Sequence, residues 1–164
     1  VFYDKQFFAA DNYRAKIKTP FELAASSLRA LNADTNGSKA LIARLAKLGE
    51  IPYGSQSPTG YPDMAEDWVN TGALLERINF AAELASGKIA GVRPLPSGKN
   101  AEPEAALNDA IKRILCDDIS DQTRELLKKQ LNAKGGEGKQ ADTPASPVTQ
   151  SVSLVLGSPD FQRQ

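Results

Sequence analysis

The sequence predicts an all-α fold, an irregular multi-helix bundle with long proline- and glycine-rich loops. Three observations predict it. Apolar side chains recur three and four residues apart over most of the chain, the spacing of one face of a helix. Helix-start signatures precede these stretches. No two alternating runs flank a tight turn, as a hairpin would require.

Taken in order, Thr19-Pro20-Phe21-Glu22 is a capping box with proline at the first helical position. The helix it opens reaches about Leu31, with Leu23, Ser27 and Ala30 on one face and Ala24, Leu28 and Leu31 beside them. Gly37-Ser38 starts a second helix with Leu41, Leu45 and Leu48 in line, and Gly49 stands where a left-handed cap would end it. Residues 50–62 contain Pro52, Gly54, Pro58, Gly60 and Pro62 and allow no regular element. Asp63 is placed to cap a short helix carrying Glu66 and Trp68. Thr71 opens a longer one, with Leu74, Leu75, Ile78, Ala81, Ala82 and Ala85 as a broad apolar stripe closed by Gly87. The expected main core joins Trp68, Leu74, Leu75 and Ile78 to Leu41, Leu45 and Leu48.

After a loop with Pro94, Pro96 and Gly98, Glu102-Pro103 opens a helix bearing Leu107, Ile111, Ile114 and Leu115. Ser120 caps the next, with Leu126, Leu127 and Leu131 inside and Lys128, Lys129 and Lys134 towards the end that the helix dipole favours for cations. Residues 134–146 read as a flexible linker of glycine, lysine, serine and proline. Ser146-Pro147 then opens a last helix with Val148, Val152, Val155 and Leu156, ended by Gly157; its β-branched residues leave a strand as the alternative. The organisation expected is a helical domain over 1–133, the linker, and a carboxyl-terminal helix over 147–164 docking back on it.

Composition narrows function by exclusion. The chain has 164 residues, one domain's worth. Twenty lysines and arginines balance twenty aspartates and glutamates, which disfavours a nucleic-acid partner held by a positive field. Histidine is absent, which removes the commonest general base and metal ligand. A single cysteine, Cys116, excludes an intrachain disulfide and multi-cysteine zinc sites; on its amphipathic helix it reads as a small buried hydrophobe. No run approaches the eighteen apolar residues of a membrane span, and no signal peptide is expected from Val1 onwards. A start without methionine, running into Phe2, Tyr3, Phe7 and Phe8, fits either a mature protein cut by a signal peptidase or a fragment of a longer chain, the reading favoured here.

The candidate constellations read as structural. Asp117-Asp118 with Asp121 sits at a helix junction and reads as capping rather than metal binding. Asp63, Glu66 and Asp67 crowd a helix start, where the dipole welcomes them. Gly135-Gly136-Glu137-Gly138-Lys139 has the wrong spacing for a phosphate loop. The most distinctive feature is the aromatic turn: Tyr53, Pro58, Gly60 and Tyr61, followed by Trp68. Such rings can form a carbohydrate or peptide platform, or they can pin an irregular loop to a helical core, which is the reading favoured here. No catalytic set, metal site or cofactor is predicted. Glu22 is engaged at its cap, so Arg29, seven residues on, is expected to clamp carbonyls or a carboxylate of the 50–62 loop. The rings of Tyr3, Phe7, Phe8 and Tyr13 need cover, part of it from Val152, Val155, Leu156 and Phe161.

Several stretches together resemble the bacterial family called domain of unknown function 1800. They are Lys16-Ile17-Lys18-Thr19-Pro20-Phe21-Glu22-Leu23 with Leu28-Arg29-Ala30; Leu48-Gly49 with Pro52; Pro58, Gly60 and Tyr61; Trp68 with Leu74 and Arg77; and Ser158-Pro159-Asp160-Phe161-Gln162. Arg77 thereby joins Glu22 and Arg29 as a candidate clamp. Where the family tends to carry glutamine after Leu-Gly, this chain has Glu50, expected on an exposed turn. The resemblance implies the carboxyl-terminal part of a longer, largely helical bacterial protein, often exported to the periplasm or cell surface and often encoded beside a second family of exported proteins. It supplies no activity. The expected role is a non-catalytic structural or interaction module partnering the amino-terminal remainder of the same protein and another exported protein. The alternative is part of the cleft of an envelope-associated hydrolase.

Overall fold

Local capping starts most of the helices. The computed structural model describes residues 3–94, 102–132 and 146–164. Two short 3-10 turns, Lys5–Phe8 and Ala10–Asn12, form an amino-terminal arm. Helix α1 (Pro20–Ala30) opens with the predicted capping box: Thr19 Oγ1 accepts from the Glu22 amide at 3.3 Å, and Glu22 Oε2 accepts from the Thr19 amide at 2.8 Å. Helix α2 (Lys39–Leu48) is capped by Ser38, whose hydroxyl accepts from the Leu41 amide at 3.2 Å. It ends at Gly49, where φ is +104°, a value that L side chains rarely adopt. The short α3 (Ala65–Trp68) follows Met64 at the cap position, so Asp63 does not cap it. Helix α4 (Thr71–Ala85) is capped by Asn70.

The remaining helices are α5 (Pro103–Leu115), α6 (Asp121–Asn132), α7 (Pro147–Leu156) and α8 (Pro159–Gln162). Ser120, Ser146 and Ser158 each accept from the amide three residues on. The valines of α7 are helical, and Ser146-Pro147 explains why: the cap and the fixed proline φ nucleate the first turn, while Val152, Val155 and Leu156 bury along one face. The linker predicted over 134–146 lies outside the described residues except for Ser146, as do Pro96 and Gly98.

Helix α7 is the centre of the core, packing most extensively against α5 and then α4. Leu107, Ile111, Val155, Leu156 and Leu84 are fully buried there. Leu41, Leu45 and Leu48 of α2 join the same core, as predicted, whereas Trp68, expected with them, is buried outside it. Two further expectations fail. On α4, Leu74, Leu75 and Ile78 are 44%, 58% and 53% exposed, and the buried face is Arg77, Phe80, Ala81 and Leu84. On α6, Leu126 is exposed, while Leu127 is buried as expected and Thr123 is buried with it. In both helices neighbouring apolar residues offer two overlapping faces, and the tertiary partner selects one.

Among the described residues the all-α architecture carries one small sheet. Strands β1 (Asp34–Thr35) and β2 (Val92–Arg93) pair antiparallel, Asp34 opposite Arg93 and Thr35 opposite Val92. Two residues are too few to show alternation. Gly91, at φ +78°, permits the approach; a Cβ there would stand 2.6 Å from Ser38 Cβ.

Candidate functional site

The chain segment before α1 is gripped from three sides. Residues 16–18 run antiparallel to the carboxyl end: the Lys16 and Gln164 amides each donate to the other's carbonyl, at 3.1 and 2.8 Å, and the Lys18 amide donates to the Gln162 carbonyl at 2.9 Å. Arg77 lies beneath this pairing, 1% exposed. Its Nη2 donates to the Lys18 carbonyl and its Nη1 to Gln162 Oε1, both at 2.8 Å. A buried guanidinium is costly unless its donors are matched. Here the two terminal nitrogens are matched, while Nε has no partner among the described residues. Burial pushes the Arg77 pKa down, and the Glu50 carboxylate pushes back. Gln162 is itself oriented by donating through Nε2 to the Leu156 carbonyl at 3.3 Å.

Glu22 holds the same segment from the helix side. Besides its cap bond, its Oε1 pairs with Lys16 Nζ at 3.6 Å. Burial pushes the Glu22 carboxyl up, but the Thr19 amide, Gln164 and Lys16 together outweigh that and leave its pKa below the ordinary glutamate value. Glu50 departs from its expected place on an exposed turn. It is half-buried, and its Oε2 accepts from the Phe21 amide at 2.8 Å, satisfying one free donor of the first turn of α1. Arg29 does not join this arrangement: it is exposed, and its side chain makes no hydrogen bond or ion pair with a described residue. Its position late in α1 carries it away from the 50–62 loop, and Arg77 performs the clamping.

The aromatic turn divides into anchored and free parts. Trp68 is buried against Gly49, and its Nε1 donates to the Pro62 carbonyl at 2.9 Å. Tyr61 is half-buried, 6.1 Å from the Trp68 ring centre, and its hydroxyl donates to the Ile51 carbonyl at 2.9 Å and accepts from the Ile51 amide at 3.1 Å. Both polar tips are therefore tied to the backbone of the loop they pin. Pro58 and Gly60 sit in an exposed turn closed by the Gly60 amide on the Ser57 carbonyl at 3.1 Å, and Tyr53 is fully exposed. Asp63, Glu66 and Asp67 are exposed as well.

A second polar cluster, which sequence reasoning missed, joins the arm to the α5–α6 corner. Arg14 pairs with Asp118 at 3.1 Å and with Asp160 at 3.4 Å, and the Tyr13 hydroxyl bonds to Asp118. That bond to Asp118 raises the Tyr13 pKa. Asp160 also accepts from the Ser120 amide at 3.2 Å, and Asp117 pairs with Arg124 at 3.8 Å. Cys116 is exposed rather than buried, because α5 ends at Leu115 and both Cys116 and Asp117 turn to positive φ, 54° and 63°. Tyr13 and Arg14 lie over a hundred residues from Asp118 and Asp160, so local spacing could not show these pairings. The only signal was Asp160 within its Ser-Pro-acidic-Phe-Gln stretch. The arm's rings stay exposed: Tyr3, Phe7, Phe8 and Tyr13 are not covered by Val152, Val155, Leu156 and Phe161, which bury into the core.

Among the described residues no group of three or more acidic or thiol side chains could hold a metal ion, and no helix is long and apolar enough to cross a membrane. The stretches that prompted the resemblance meet in space: Lys18 and Glu22, Arg77, and Gln162 form one clamp. Residues 1–163 match the family described as Protein of unknown function (DUF1800). The chain belongs to that family. No curated protein and no solved structure matches it. In this DUF1800 chain, four of the five stretches contribute a side chain or backbone group to the clamp or to the Trp68 anchor beside α2.

Proposed function

We propose that this chain is a structural and interaction module, the carboxyl-terminal part of a longer exported protein. One observation carries the reading: the chemically suggestive side chains bond inward while large apolar ones face out. Arg77, Gln162, Glu22, Tyr61 and Trp68 hold the chain's own backbone. Leu74, Leu75 and Ile78 on α4 and the rings of the amino-terminal arm are exposed. Contiguous exposed apolar surface of this kind marks a protein–protein contact. The amino-terminal remainder of the same polypeptide is the nearest candidate for covering it, with a second exported protein as a further partner. The alternative hydrolase cleft would need Tyr61 and Trp68 to line an opening beside Asp63, Glu66 and Asp67. The buried Trp68 and the tethered Tyr61 hydroxyl lend that reading no support.

Hydrogen exchange tests the module reading. Residues 74–78 and 3–13 should exchange more slowly in the full polypeptide than in the 164-residue chain, and Leu75→Glu with Ile78→Glu should remove the difference at α4 while the fold persists. Equal exchange in both forms would overturn it.

A further inference from the structure

A cleft of about 300 Å³ opens between the amino-terminal arm, the α5–α6 corner and α8, with Lys18, Arg163, Arg14, Asp118, Asp160 and Cys116 among its walls. We propose that this cleft binds a small oxyanion, a carboxylate or phosphate group, held by Lys18 and Arg163.

The charges inside the cleft lead to that ligand. Its two carboxylates are already matched: Asp118 and Asp160 both pair with Arg14, and each takes a further donor, from Tyr13 and Ser120 respectively. Its cations are not all matched. Lys18 is half-buried, its Nζ 3.9 Å from the centre of the Phe161 ring and donating to the Phe161 carbonyl at 2.6 Å. No carboxylate lies within ion-pair distance of it among the described residues, and an ammonium carries three donors. Arg163 also lines the cleft, exposed, with no side-chain bond to a described residue. Three cations thus face two carboxylates, and the surplus sits on the two groups with free donors.

The Lys18 ammonium is also held in advance. The ring and the carbonyl fix its position, so an arriving anion finds a partly desolvated, ordered donor rather than a solvated chain end. Burial and then the Arg14 charge lower its pKa, outweighing the Glu22 carboxylate. The volume lies at the lower end of small-ligand sites, which suits a single anionic group on a compact molecule and not a polymer. Arg14 is kept from the ligand by its two aspartates and serves as the rigid wall.

Inorganic phosphate and acetate are the probes, titrated at constant ionic strength with the Lys18 ammonium and the amides of residues 18, 116 and 163 followed by NMR. One or both anions should give saturable shifts at these positions and raise the Lys18 pKa; phosphate acting alone assigns a phosphate ligand, acetate alone a carboxylate. Lys18→Met, which keeps the stem on the Phe161 ring, should weaken binding at least about tenfold. Arg163→Ala should weaken it less, and Lys39→Met on α2 should leave it unchanged. Cys116 is the chain's single thiol and provides a second readout. Bound anion should slow its reaction with an anionic aryl disulfide more than with a neutral pyridyl disulfide. Non-saturating shifts, shifts spread equally over surface lysines, or a Lys18 pKa indifferent to both anions would overturn the assignment, even if Lys18→Met failed to fold.

Discussion

Helices α2 and α4 present the same apolar lettering to a reader of the sequence and fold in opposite senses. In α2 the leucines at 41, 45 and 48 form one stripe that is buried, with lysines, arginine, alanines and a single exposed aliphatic residue, Ile42, around it. In α4 the aliphatic residues Leu74, Leu75 and Ile78 face outwards, and the core instead takes Arg77, Phe80, Ala81 and Leu84. Adjacent residues on a helix point about 100° apart, so Arg77 and Ile78 cannot both face the core centre. Hydrophobicity alone chooses the isoleucine. The structure chooses the arginine, because the Lys18 carbonyl and the Gln162 amide oxygen wait at its end of the groove. A helix with one possible apolar face is decided locally, and a helix with two is decided by its partners.

The sharpest test sets one leucine of each helix against the other. Leu45→Ala should cost about 2–5 kcal/mol, as truncation of a buried leucine does. Leu75→Ala should stay within about 0.5 kcal/mol, the range of exposed substitutions. Urea unfolding of both variants measures this directly, and equal losses would erase the contrast. A change of 1 kcal/mol should move the melting temperature by about 2–4 °C in a domain of this size.

Arg77 comes next in size. Arg77→Met retains much of the apolar stem but leaves the Lys18 carbonyl and Gln162 Oε1 without their donor, at about 1–3 kcal/mol each. Removing the buried guanidinium with its unpartnered Nε offsets part of this, so the net loss should be about 2–4 kcal/mol. Arg77→Lys should recover less than half of it, because one ammonium cannot reach both acceptors in the geometry of the planar fork. Gln162→Ala, which removes the acceptor of Arg77 Nη1 and the donor to the Leu156 carbonyl, should cost about 1–3 kcal/mol. Full rescue by lysine would mean that charge rather than the fork matters at this position.

What the sequence shows well here is local. Thr19 with Glu22, Ser38, Ser120, Ser146 with Pro147, and Gly49 each declare a helix end within three or four residues, and each does so in the structure. Trp68 and Tyr61 were readable as loop anchors because prolines and glycines around them left no regular element to join. Pairings across the chain were not readable. Arg14 finds Asp118 and Asp160, and Arg77 finds Gln162, across intervals that carry no periodic signal. Arg29 looked better placed than Arg77 only because it lay near a known cap. Cys116 looked buried because the helical pattern was extended one residue past Leu115, where the backbone turns to positive φ.

The smallest effect concerns the opposite side of the segment that Arg77 grips. Glu22 has a folded pKa below its ordinary value near 4.5, because the gain from the Thr19 amide, Gln164 and Lys16 exceeds the burial penalty. A depressed acid stabilises the fold fully above its unfolded pKa, and the contribution fades as pH falls through the lower folded value. Wild type should therefore lose stability on acidification below about pH 4.5 more steeply than Glu22→Gln, whose amide still reaches the cap but does not titrate. Glu104, whose pKa the Lys128 hydrogen bond lowers, titrates in the same window in both proteins and cancels from the difference. The measurement is the unfolding free energy of the two proteins between pH 3 and 6, the range bracketing ordinary glutamate titration. Parallel curves would mean that the carboxylate at the cap contributes nothing beyond a neutral hydrogen bond. A steeper wild-type curve would place a charge-assisted bond on the helix side of residues 16–19, opposite the neutral acceptors that Arg77 holds from below.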